Sequence, residues 1–262
     1  MAGGHAFDRY IGIDYSGAET PTSSLKGLRV YMAGPKVPPT EVAPPPSPRK
    51  YWTRKGIYEW LLDRLSEGPP TLVGVDHAFS FPLQYFHRHR IPLDWAAFLE
   101  DFHRHWPTDQ DNVYVDFVRD GHAGDGLARG GSPRWRRVTE IRAGAKSVFH
   151  FDVPGSVAKS THAGLPWLLQ LRQQMNGDLH FWPFDGWQVQ CGRSAVTEVY
   201  PALWSHSFPR EDRDSDQHDA YSIAAWMRQA DCGGSLLTFL DARLAEEERK
   251  TAAIEGWILG VA

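Results

Sequence analysis

Hydrophobic and polar positions along the chain follow two rhythms. Short, nearly continuous apolar runs at 9–14 (RYIGID), 27–34 (GLRVYMAG) and 71–76 (TLVGVD) predict strands, as do 179–184 (LHFWPF) and 194–201 (SAVTEVYP). Between them, apolar residues recur at helical spacing. Over 53–67, Ile57, Trp60, Leu61 and Leu65 share one face, Thr53 can cap the start, and Gly68, Pro69 and Pro70 end the segment. Trp95, Phe98, Leu99 and Phe102 predict a second amphipathic helix over about 93–104. A helix from Pro166 to Met175 follows from the taste of proline for a first turn. Two closing helices are expected, at about 217–230 (Ala220, Ile223, Ala224, Met227) and 235–250 (Leu237, Leu240, Leu244).

The order strand, helix, apolar strand across 27–76 predicts a crossover that returns a parallel neighbour to the sheet, hence an α/β fold. Two stretches interrupt the rhythm. Residues 35–48 hold seven prolines, which forbid a helix or a central strand, so an extended loop or the ragged arm of a hairpin is expected. Residues 105–145 lack clean periodicity and read as an insertion or cap carrying short strands such as 112–118 (NVYVDFV); 146–153 (KSVFHFDV) reads as a further strand. No internal repeat is present.

Composition narrows the class. The 262 residues are 42% hydrophobic and 13% aromatic with 11 Trp, enough for a sizeable core in one domain. The formal net charge of -4 argues against wholesale electrostatic binding of nucleic acid, so a nucleic-acid enzyme would need a local basic surface. Two cysteines, Cys191 and Cys232, without CxxC spacing fit a reducing cytoplasm and leave no cysteine zinc site. The first residues do not pair a basic stretch with an apolar one as a secretory signal does, and no apolar run approaches the ~20 residues of a membrane helix, so no membrane partner is expected.

The chemistry lies in an echo: "YIGID" at 10–14 and "LVGVD" at 72–76 each end an apolar strand in an aspartate. Side chains alternate along a strand, so Asp14 shares a face with Gly12 and Asp76 with Gly74, and each glycine marks close approach by a ligand or by backbone. Ligands of open parallel sheets bind beyond the carboxyl ends of the strands. Two carboxylates converging there repel, so one takes a proton or a cation neutralises both, and oxygen ligands favour Mg²⁺ or Mn²⁺. Asp216 and Asp219 share a helix face; Asp216 also suits a helix N-terminus, whereas Asp219 sits beside Ala220 and Ile223 on the inward side. Glu198, inside an apolar strand, needs a partner or a cation.

Taken together, "YIGIDYSGA", "LVGVDHAFSFP", "TEVYPALW", "HDAYSIAAW" and "EGWILG" resemble the family called domain of unknown function 429, regarded as predicted nucleases of the RNase H-like superfamily. The resemblance spans nearly the whole chain. It implies an RNase H-like mixed sheet flanked by helices and a two-metal acidic site that hydrolyses phosphodiesters. Asp14 matches the first-strand aspartate, Asp76 the acid ending the later parallel strand, and Asp219 the aspartate of the C-terminal helix. Glu198 matches a family glutamate without an assigned role and is grouped with the catalytic acids. Glu59 lies on the helix where the superfamily often places a further glutamate, and Glu255 falls in the terminal motif.

A partner surface is expected at 129–146 (RGGSPRWRRVTEIRAGAK). There Arg129, Arg134, Arg136, Arg137, Arg142 and Lys146 face only Glu140, six basic groups against one acid. Arginine forks match phosphate and Trp135 can stack on a base, so nucleic acid or a small phosphoester is the expected ligand. The segment 154–164 (PGSVAKSTHAG) lacks the P-loop glycines, with Val153 and Ala158 in their places, though Lys159 near a helix start can hold a phosphate. The pairs His87/His89 and His103/His105 make weak metal candidates, and Ser80 behind Asp76 and His77 makes a weak triad. Two alternatives stand beside the nuclease. One is an actin-like phosphotransferase, for which Ser16 and Gly17 would form a phosphate loop; the other is a non-catalytic binding protein on the same fold.

Overall fold

The computed structural model describes residues 5–46 and 49–262. Its strands are β1 (Arg9–Asp14), β2 (Arg29–Gly34), β3 (Val37–Glu41), β4 (Thr71–Val75), β5 (Leu179–Trp182) and β6 (Ser194–Glu198). The helices are α1 (Arg54–Ser66), α2 (Leu83–His89), α3 (Trp95–His105), α4 (Val115–Arg119), α5 (Val138–Ala143), α6 (Ala158–Met175), α7 (Ser215–Cys232), α8 (Leu236–Leu240) and α9 (Glu246–Glu255). The strands form one mixed sheet in the order β3-β2-β1-β4-β6-β5. β1, β4, β6 and β5 run parallel and β2 is antiparallel to both its neighbours. This is an α/β sheet flanked by helices, compatible with the expected RNase H-like arrangement. Among the described residues no helix is long and apolar enough to cross a membrane.

The sheet divides the core in two. Ile11, Ile13, Val73, Val75 and Val196 face the layer of α1, α3 and α6. Tyr10, Leu72, Ala195 and Val199 face α7, with Ile223, Ala224 and Met227 against them. α7 lies unusually close because Gly12 and Gly74 are paired side by side beneath it. A Cβ on Gly12 would stand 2.3 Å from the Ala220 carbonyl oxygen and 2.7 Å from the Ala224 nitrogen; one on Gly74 would stand 2.7 Å from Ile223 Cγ2. The space beside each glycine is therefore filled by helix, not left open for a ligand.

The proline-rich stretch takes the ragged hairpin-arm form, β3, on the sheet edge, and its register with β2 shifts between Met32 and Gly34, beside the prolines that bring no N–H to the ladder. Several expected elements differ. Residues 112–118 form no strand: α4 begins at Val115, and Val115 and Val118 turn into the main core. The 105–145 segment reaches that core through Trp106, Val113, Val115 and Val118. Residues 146–153 are turns, because Ser147 Oγ accepts the Phe149 N–H and draws the chain out of an extended path. α6 starts at Ala158, eight residues before Pro166, and runs through the proline. Pro166 has no N–H to give the His162 carbonyl four residues back; the Thr108 hydroxyl takes that place at 2.7 Å. The last expected helix is broken into α8 and α9, since the Leu240 carbonyl accepts from the Trp182 indole and that of Ala242 from Arg249.

Gly12→Ala is expected to cost about 3 kcal/mol, the upper range for overpacking, because backbone of α7 and not a flexible side chain blocks the added methyl. Urea unfolding measures this directly, and a loss below about 0.5 kcal/mol would show that the helix yields freely.

Candidate functional site

Parallel pairing sets Ile13 opposite Val75, and the Asp76 N–H continues the ladder onto the Ile13 carbonyl at 3.0 Å. Asp14 and Asp76 therefore leave adjacent strands, about 4.8 Å apart, at the same rim. Both point to the α7 side, the face of Gly12 and Gly74. Ala220 and Ile223 press on those glycines, so the turn of α7 just before them lies above the two strand ends. That turn carries Asp216 and Asp219. Asp214 caps the helix by accepting from the Gln217 N–H at 2.9 Å, which fixes where the turn begins.

The electrostatics follow. Burial, then the charges of Asp76, Asp216 and Asp219, hold the Asp14 carboxyl well above the ordinary carboxylate range. Burial, then Asp219 and Glu198, do the same to Asp76. Asp219 is also raised, chiefly by burial, with His218 and Arg210 pulling against the shift and Asp216 adding to it. Asp76 Oδ1 is sealed from solvent and has no hydrogen-bond partner. Among the described residues no salt bridge reaches Asp14, Asp76, Asp216 or Asp219. Nor, among them, are three His, Cys, Asp or Glu side chains closed around one point as a ready coordination sphere. Asp216 suits the helix N-terminus by sequence, where acids favour the dipole; its spacing to Asp219 was the signal for its membership here.

Glu198 does not join the four. The pleat turns it to the opposite face, with Val75 and Val196, while Thr197 and Val199 face α7. There Arg137 binds it through two nitrogens at 2.5 and 2.7 Å, and the Phe79 N–H donates to it at 3.1 Å. The same guanidinium holds Glu140 at 3.0 Å and the Glu255 carbonyl at 3.2 Å. Glu255 in turn accepts from the Leu83 and Val138 N–H groups at 2.7 and 2.8 Å. Arg137 is 1% exposed, so it is a buried tie between chain segments and not a ligand-binding fork.

The rest of the expected basic surface is likewise spent internally. Arg136 donates to the Glu140 and Ala145 carbonyls, Arg129 to Asp101, Arg142 to Glu248, and Lys146 to the Pro154 carbonyl. Lys159 pairs with Asp116 at 2.7 Å and with Asp152 at 3.3 Å. Trp135 is half-buried against Phe149, and Arg134 alone of the group is left exposed without a printed charge partner among the described residues. Glu59 is exposed on α1, beside Pro44–Pro46 and far from this rim in the fold. Ser80 is buried and donates to the Ile254 carbonyl, which rules out a triad role. His89 bonds the Gly130 carbonyl and His103 bonds Asp109, so the histidine pairs do not converge. The loop after Asp14 is no phosphate cradle either. Arg54 fixes the Ser16, Ala18 and Glu19 carbonyls, and a Cβ on Gly17 would lie 2.1 Å from the Lys159 backbone. Gly17 serves close packing against the start of α6.

Beside Asp76 the rim opens into a recess lined by Lys146, Val157, Glu198, Val199 and Tyr200. The Tyr200 phenol is raised above its ordinary range by burial, then by the charges of Asp76 and Asp219. Comparison of the chain with protein-family models, with curated proteins and with solved structures returns no match.

Two outcomes follow from this geometry. A carboxyl raised in the folded state binds its proton more tightly there, so stability falls as pH climbs from about 4 through the raised values. In chelator-treated protein, Asp76→Asn should raise stability at pH 8 and change little at pH 4. Urea midpoints at both pH values decide it; equal effects would deny the repulsion. Arg137→Leu should cost about 3–5 kcal/mol by leaving Glu198 and Glu140 buried without a counter-charge.

Proposed function

We propose that the protein is a metal-dependent phosphodiesterase, acting on nucleic acid or a small phosphoester. The observation that carries this reading is the gathering of Asp14, Asp76, Asp216 and Asp219 at one sheet rim, where among the described residues no salt bridge reaches any of them. Burial and neighbouring carboxylates raise Asp14, Asp76 and Asp219, and Asp76 Oδ1 is buried without a partner among the described residues. Such an oxygen-only donor set fits a hard divalent ion, Mg²⁺ or Mn²⁺, better than zinc. Asp14, Asp76, Asp216 and Asp219 are the residues that would hold it.

When bound, divalent ions supply an activated water and charge stabilisation for the departing oxygen of a phosphodiester. The chain supplies the rest. β1 and β4 fix two carboxylates rigidly, since each ends a buried strand in ladder register. α7 holds the other two at a distance set by backbone contact over Gly12 and Gly74. Tyr200 lines the recess beside Asp76 on one side of the rim. Cys191 and Cys232 are free and exposed, which suits the cytoplasm proposed as its location. No feature favours the phosphotransferase reading, given how Arg54 and Gly17 are used.

Titration calorimetry with Mg²⁺ and Mn²⁺ tests the proposal, alongside hydrolysis of bis(p-nitrophenyl) phosphate, DNA and RNA oligonucleotides. Wild type should bind metal and cleave at least one substrate. Asp14→Asn and Asp219→Asn should each weaken metal binding about 10–100-fold, whereas Glu198→Gln should bind metal normally and unfold earlier. Equal metal affinity in wild type and Asp14→Asn would end the proposal.

A further inference from the structure

Several of the described tyrosines carry hydroxyls without a hydrogen bond. Those of Tyr15 and Tyr85 are sealed in the core, where no ligand can reach them. Tyr200 differs. It is only half-buried, its hydroxyl takes no hydrogen bond among the described residues, and its ring lines the recess that opens beside Asp76. The Val199 N–H donates to the Val75 carbonyl at 3.1 Å, which locks the chain before Tyr200 against the residue before Asp76. Pro201 follows at once and starts a 3₁₀ turn, whose Leu203 N–H bonds the Tyr200 carbonyl at 3.0 Å. The phenol is thus set on a rigid backbone, within the field of Asp76 and Asp219 but bonded to neither.

A phosphoester approaching this rim meets four carboxylates. Of the cations near this rim, Arg137 is paired with Glu198 and Glu140, Lys146 donates to the Pro154 carbonyl, and His218 and Arg210 act on Asp219. A neutral O–H donor can bind an anionic oxygen there without being drawn into an ion pair with the aspartates. We propose that Tyr200 positions the substrate, its phenol O–H donating to a non-bridging oxygen of the phosphoester held at Asp14, Asp76 and Asp219. This rests on the phosphodiesterase reading and adds to it a residue that contacts substrate and does not hold metal.

The test uses inorganic phosphate as probe, on the full chain loaded with Mg²⁺, by calorimetry. Tyr200→Phe keeps the ring and its packing. It should weaken phosphate binding about fivefold to tenfold, as expected for one neutral hydrogen bond, while Mg²⁺ affinity stays at the wild-type value. With bis(p-nitrophenyl) phosphate the same variant should raise KM by a similar factor. Unchanged phosphate affinity, or wild type that takes Mg²⁺ but no phosphate, overturns the role of Tyr200 and leaves the metal site standing. A fall in Mg²⁺ affinity in step with phosphate also overturns it, by making Tyr200 a support of the metal site. Wild type that takes no Mg²⁺ overturns the phosphodiesterase reading instead.

Discussion

The close seating of α7 on β1 and β4 governs this molecule. Two glycines paired across a parallel ladder remove the side chains that would otherwise hold a helix about 10 Å from a sheet. Ala220 and Ala224 do the same from the helix side, so backbone meets backbone. The consequence is positional. Acids one turn toward the helix start are pressed over the acids that end the strands, and the rim collects negative charge that the fold itself does not neutralise.

That arrangement is unfavourable for the protein alone. Asp14 and Asp76 are buried enough to resist ionisation and near enough to other carboxylates to resist it further. Stability is supplied elsewhere, by two aromatic-rich cores and by the Arg137 knot on the opposite face. The knot joins the strand end at Glu198, the loop at Phe79, the start of α2 and the C-terminal segment around Glu255. Its charges are satisfied within itself. The two acidic groupings lie on either side of one strand end and have opposite characters: one closed by an internal cation, the other open.

Two rules of pairing separate them. Along β6 the pleat sends Glu198 away from α7, since its ladder partner is Val75, the residue before Asp76. In the 129–146 segment, arginines that look like a phosphate-binding surface find carbonyls and carboxylates across the fold, because long side chains on a packed segment satisfy buried acceptors before they meet solvent.

From the sequence alone came the strands at 9–14, 71–76 and 194–198, the α/β class, and the reading of Asp14, Asp76 and Asp219 as one set. These were legible because strand ends and helix faces are local: period two and period 3.6 fix which residues share a side. The tertiary structure decided what is non-local. It filled the glycine gaps with helix, brought in Asp216, withdrew Glu198 and the basic segment, carried α6 through Pro166 on a hydroxyl from Thr108, and left the Tyr200 phenol free beside Asp76. In most of these cases the deciding partner lies far along the chain, as Thr108 does from Pro166 and Glu198 from Arg137, and only packing determines which distant donor or acceptor arrives.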